Sequence, residues 1–131
     1  MALSLFAMQH PVPCLGIRVA SADGVLAYTG DTGWCAELLD LARQANVLLC
    51  DASTRDPSSL VVAAGHLTAG QAGAAAAQAG AKRLLLTHLG QQDAAWRQSL
   101  VDDAMGEFHG PVEVARHGAM YAVGSVLVPT R

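Results

Sequence analysis

Val25-Leu-Ala-Tyr-Thr-Gly-Asp-Thr-Gly33 is the stretch whose reading decides the fold. Its apolar start, Val25 to Tyr28, has the length and composition of a buried strand. The run stops at Gly30-Asp31-Thr32, and an amphipathic segment begins straight after. Asp31 therefore falls where a strand hands over to a helix, with Gly30 relaxing the backbone and Thr32 placed to cap that helix. Open α/β sheets carry their chemistry at the carboxyl ends of their strands.

Upstream, Leu3–Met8 reads as a strand that runs into Gln9-His10-Pro11, and Pro11 holds His10 in an extended pose. Leu15–Ala20 is a second strand, and Asp23-Gly24 is a turn that would pair it antiparallel with Val25–Thr29. Downstream, residues 35–45 set Ala36, Leu38, Leu39 and Ala42 on one helical face, opened near Thr32 and closed at Asn46. Val47–Cys50 is a fourth strand and ends in Asp51. Thr54 to Ser59 reads as a polar loop. Thr68-x-x-Gln71 is a capping box that opens an alanine-rich helix ending at Gly80, with His66 just before it. Arg83–Thr87 is a fifth strand that leads into His88. Residues 93–105 form a further helix, and Val112–Ala115 and Met120–Val128 are expected to close the sheet.

Four apolar runs thus end in an ionisable side chain: His10, Asp31, Asp51 and His88. Any one of them alone reads as a turn acid or a surface histidine. Together, two imidazoles and a carboxylate at one sheet edge suit zinc, iron or manganese. A coordination position left to water would make such a site hydrolytic. Gly65-His-Leu-Thr-Ala-Gly-Gln71 has the glycine spacing of a phosphate loop but lacks its lysine, and no G-x-G-x-x-G follows a strand. His109 and His117 read as solvated, and Trp34 and Trp96 as packing residues.

Composition sets bounds on the remainder. A chain of 131 residues with 52% hydrophobic content is one domain or part of one, with enough apolar matter for a core. No apolar run approaches the roughly 20 residues of a membrane span, and no basic segment precedes the first apolar residues, so a cytoplasmic protein is expected. Net charge is −3, and no basic cluster offers a footprint for long RNA or DNA. The spacing of Cys14, Cys35 and Cys50 matches no zinc knuckle, and buried, reduced thiols are expected.

Five ordered motifs carry a family resemblance: His10-Pro-Val-Pro-Cys-Leu-Gly-Ile-Arg18, Tyr28-Thr-Gly-Asp-Thr32, Leu48-Leu-Cys-Asp-Ala-Ser53, Gly65-His-Leu-Thr-Ala-Gly-Gln-Ala-Gly73 and Leu84-Leu-Leu-Thr-His-Leu89. From residue 3 to about 125 the chain resembles the C-terminal half of a metallo-β-lactamase-fold hydrolase, in its ribonuclease Z-like phosphodiesterase branch. The resemblance implies half of an αββα sandwich, residues 1–131 forming a single partial domain with one mixed sheet and about three helices on one side. It implies that His10, Asp31 and His88 bind metal, Asp31 as the bridging carboxylate. It makes His66 the catalytic group near the scissile bond, with Asp51, Thr32 and Thr68 supporting from behind the ligands.

The same resemblance exposes a gap. Family members carry H-x-H-x-D-H in their N-terminal half, and this chain contains no H-x-H. It therefore implies a Zn2+ site (or Mn2+ or Fe2+) that becomes binuclear only with a complementary N-terminal half. Only about twenty residues separate the His10 and Asp31 motifs, where tRNA-processing members carry a long arm. Expected partners are a small phosphodiester or ester substrate and either that missing half or a second copy covering the bare sheet face. The competing expectation is a non-catalytic α/β interaction module that dimerises through this face.

Overall fold

The computed structural model describes residues 1–124. Six strands lie in one sheet in the order β1(Ala2–Ala7), β2(Leu15–Ala20), β3(Val25–Tyr28), β4(Val47–Asp51), β5(Leu84–Thr87), β6(Val112–Val114). The first three pair antiparallel and the last three join in parallel, so the sheet is mixed. Parallel neighbours need crossovers. These are α1(Ala36–Ala42), the pair α2(Leu60–Ala63) and α3(Ala69–Ala79), and α4(Ala94–Met105). Two antiparallel reversals restore the direction of the chain, so β1 runs the same way as β3, β4 and β5. The carboxyl ends of all four therefore reach one edge of the sheet.

One face of the sheet is the core. Ala27, Leu48, Cys50, Leu84 and Leu86 are fully buried against α1, α3 and α4, with Leu38, Leu41, Leu67 and Leu100 packed on them. The alanine run of α3 is part of this packing: Ala69, Ala72, Ala75 and Ala76 are fully buried, and their small size lets helices lie close together. Gly73 carries this furthest, since a Cβ there would stand 2.4 Å from the Ala104 carbonyl oxygen of α4. The Thr68–Gln71 capping box forms in both directions and Gly80 closes α3 in the left-handed conformation, as the sequence leads one to expect.

The opposite face is apolar; it is buried at Val47 and Leu85 on β4 and β5 and bare over β1–β3. The register sets Leu5 beside Ile17, Ile17 beside Tyr28, and Leu3 beside Val19. Leu3, Leu5 and Leu15 remain 65%, 56% and 53% exposed. Contiguous exposed apolar area of this kind is uncommon on a monomer.

Several expectations need correction. Thr32 does not cap α1, whose N-cap is Cys35 without a side-chain hydrogen bond. The helix is also shorter than the 35–45 span, and Asn46 instead accepts the Val25 N–H at 2.8 Å, joining β4 to β3. A short helix, α2, comes after the polar loop, capped by Ser59. No strand forms over Met120–Gly124; Tyr121 lies over Arg83, and Gly124 reaches the β2–β3 turn beside Gly24. The rest of that expected strand lies outside the described residues. All three cysteines are free, but only Cys50 is buried. Among the described residues no helix is long and apolar enough to cross a membrane.

The α3–α4 contact gives a sharp contrast. Gly73→Ala should lower stability by about 1–3 kcal/mol, because the backbone of α4 must move. Gly70→Ala, in the first turn of the same helix with its nearest neighbour at 3.8 Å, should raise it by up to about 1 kcal/mol. Urea titration followed by circular dichroism checks both.

Candidate metal and catalytic centre

Each strand that ends at the common edge delivers one group. Past β3 the chain turns through Gly30 in the left-handed conformation, where a side chain would be strained and would press on the Cys14 sulfur, and this presents Asp31. β4 ends in Asp51 itself. β5 is followed by His88, which holds φ at 57° although it is not a glycine. His66 comes from the loop before α3, anchored by buried Leu67 and the Thr68 capping box. His10 comes from the β1–β2 loop. Gly65, with φ 94°, lets that loop approach, since a Cβ there would meet Gln9 O and His10 Cα at 3.1 Å.

The side chains converge. Asp31, Asp51, His66 and His88 each offer a ligand atom, all within 4.8 Å of one another. The His66 ring stacks on His88 with centroids 4.9 Å apart and meets His10 edge-on at 5.2 Å. His10 lies to one side of the four-residue group, with its Nδ1 accepting the Val12 N–H at 3.3 Å. His109 and His117 are exposed and outside it, and Trp96 packs against the core.

Exposure and hydrogen bonding separate the roles. Asp51 is fully buried, and its two oxygens take four contacts: Thr32 N at 3.3 Å and His66 Nδ1 at 2.8 Å on Oδ2, Ser53 N at 3.2 Å and Ser53 Oγ at 2.7 Å on Oδ1. A carboxylate with its lone pairs spent in this way orients its neighbours more readily than it binds an ion. The side chains of Asp31 and His88, in contrast, are 37% and 49% exposed and face the opening. Asp31 Oδ1 stands 3.5 Å from His88 Nε2, too far for a strong hydrogen bond. That separation is close to the edge, about 3.4 Å, of a tetrahedron whose corners lie 2.0–2.2 Å from a zinc ion. Carboxylate and imidazole donors at this spacing fit a divalent metal.

Thr32 has a different task from capping. Its Oγ1 accepts the Gln9 N–H at 3.2 Å and donates to Gly33 O at 2.8 Å, while Gly33 N donates to Gln9 O. This ties the His10 loop to the Asp31 loop. Thr29 does similar work one strand over, accepting the Asp51 N–H at 3.0 Å. Burial first, and then the charge of Asp31, push the Tyr28 phenol upward, so it stays protonated. Burial also raises the Cys50 thiol, with Asp51 adding to it and a Thr29 hydrogen bond opposing, so this cysteine is an inert core residue.

Sequence reasoning assigned no role to Ser53, although its hydroxyl touches both Asp51 and His88. The available signal was its place two residues beyond a strand-end acid, from which a short hydroxyl reaches back to the carboxylate.

Comparison with known proteins bears on the family and the fold. Residues 3–89 match the model of the beta-lactamase superfamily domain. An uncharacterized protein of Mycobacterium bovis is 42% identical over 110 residues, 80% of this chain and 38% of the relative. A ribonuclease Z of Myxococcus xanthus is 37% identical over 94 residues, 71% of this chain and 31% of that protein. The crystal structure of the metallo-beta-lactamase fold protein YhfI from Bacillus subtilis superposes with a TM-score of 0.79 at 28% identity, covering 89% of this chain and 47% of that one. The chain thus spans less than half the length of these relatives.

The contrast between the two acids can be measured. Asp51→Asn should cost about 3 kcal/mol of stability, because its amide turns a donor toward groups that need an acceptor. Asp31→Asn should stay within about 0.5 kcal/mol of the parent. Chemical denaturation of both variants reads the difference.

Proposed function

The chain belongs to the beta-lactamase superfamily, and we propose that it is the metal-binding C-terminal half of a hydrolase acting on phosphodiesters or related esters, completed by an N-terminal half carrying H-x-H-x-D-H. The observation that supports this most is the convergence of Asp31, Asp51, His66 and His88 within 4.8 Å at the carboxyl edge of the sheet. Asp31 and His88 would hold a divalent cation, zinc first and manganese or iron next, with His10 at the flank contributing to a second ion. When bound, the metal would supply Lewis acidity toward the ester and its attacking water.

The chain's own residues supply the rest. Asp51 binds Nδ1 of His66 at 2.8 Å and so fixes the ring, leaving Nε2 as the atom that exchanges a proton with substrate. His66 is thereby suited to protonate the departing oxygen. Thr32 and Thr68 hold the loops that carry Asp31 and His66. The negative net charge favours a small ester over long RNA.

The bare sheet face bears on the partner. Leu3, Leu5, Leu15 and Ile17 form an apolar surface on the side away from the helices. The chain accounts for 38–47% of the length of the Mycobacterium bovis and YhfI proteins. A complementary half-sandwich is the occupant that fits both facts, and a second copy of this chain is the alternative that the same experiment reports.

The test measures zinc and manganese uptake and hydrolysis of bis(p-nitrophenyl) phosphate, for the chain alone and mixed with a half bearing H-x-H-x-D-H. We expect a 1:1 complex, turnover in the mixture only, loss of turnover with chelator, and a fall of at least about 100-fold in Asp31→Ala and His88→Ala mixtures. Absence of metal uptake in both preparations would overturn the assignment. A stable homodimer that refuses the added half would favour the interaction module.

A further inference from the structure

Ser53 sits where three of the loops at the sheet edge cross, and it is 5% exposed. Its N–H also donates to Leu67 O, next to His66, and its carbonyl accepts the Gly90 N–H beyond His88. Its Oγ lies 2.7 Å from Asp51 Oδ1, 2.8 Å from His88 Nδ1 and 2.9 Å from His88 O. A serine hydroxyl has one proton, and two of these three neighbours can only accept. If that proton pointed at His88 Nδ1, a carboxylate oxygen and a carbonyl oxygen would both face bare lone pairs at hydrogen-bond distance. Given to either oxygen, and first to the charged one, it leaves the 2.8 Å contact to be made by an Nδ1–H that donates to Oγ.

We propose that Ser53 is a positioning residue that fixes His88 as its Nδ1–H tautomer and so keeps Nε2 unprotonated toward Asp31. The preference is set from behind the ring, because Asp51 polarises the hydroxyl and the hydroxyl accepts from the imidazole. The same oxygen contacts the carbonyl of His88, whose backbone occupies the left-handed region. One serine thus sets both the rotation of the ring and the nitrogen it presents, as outer partners of metal-bound histidines do. Two bare acceptors, Nε2 and Asp31 Oδ1, then face each other across 3.5 Å, an arrangement that a cation relieves.

This rests on the proposed metal role of His88 only in its second arm, and the two arms fail separately. The first arm is a long-range proton–nitrogen correlation spectrum of the 15N-labelled, metal-free chain at about pH 8.5, above the ordinary histidine range. We expect His88 as Nδ1–H in the parent and in Ser53→Thr, and a shift to Nε2–H in Ser53→Ala. The second arm is zinc competition against a chromophoric chelator, with affinity about 10–100-fold weaker in Ser53→Ala and restored in Ser53→Thr. An Nε2–H tautomer in the parent would overturn the inference, whether or not Ser53→Ala folds. So would a folded Ser53→Ala that keeps Nδ1–H. A parent that shows Nδ1–H but takes up no zinc, either alone or mixed with a half bearing H-x-H-x-D-H, would support Ser53's role and sink the metal assignment instead.

Discussion

The buried carboxylate of Asp51 is the constraint on which this structure turns. A fully buried acid is costly unless every lone pair finds a donor. Here the donors come from the β3–α1 loop through Thr32, from the turn after β4 through Ser53, and from the approach to α3 through His66. Ser53 extends the set to His88 beyond β5. Satisfying one charge therefore fixes four chain segments relative to one another. The site inherits its geometry from that requirement, and the low dielectric around it strengthens each bond.

The rest of the fold keeps this arrangement stiff. Parallel strands end at one edge, helices cover one face, and small residues on α3 let that cover sit close. The groups that meet solvent, Asp31 and His88, are held by loops whose own hydrogen bonds lead back to buried positions. Rigid behind and open in front is the arrangement a metal site needs. The same sheet leaves the other face of β1–β3 bare, so the structure is covered on the helix side and open there.

Much of this was legible from residue order. Apolar runs ending in His10, Asp31, Asp51 and His88 gave the strands and their common edge, and Thr68-x-x-Gln71 with Gly80 bounded α3 almost to the residue. Thr32 was misread because its capping distance looked right, while in three dimensions the Gln9 N–H claims its oxygen. Asn46 was read as a helix stop, yet its side chain joins two strands 21 residues apart. Ser53 was missed for the same reason: its partner His88 is 35 residues away, and local periodicity carries no trace of such a bond. The expected closing strand over Met120–Val128 rested on composition alone, and Met120–Gly124 takes another path, with Tyr121 over Arg83.

Diffraction from crystals grown with zinc, collected at the zinc absorption edge, tests the central claim most directly. An anomalous peak within about 2.3 Å of both Asp31 Oδ1 and His88 Nε2, with Asp51 still bonded to Ser53 and His66, is the expected result. A peak coordinated by Asp51 in place of Asp31, or none at this edge with saturating metal in crystals of the chain alone and of its complex with the complementary half, would contradict it.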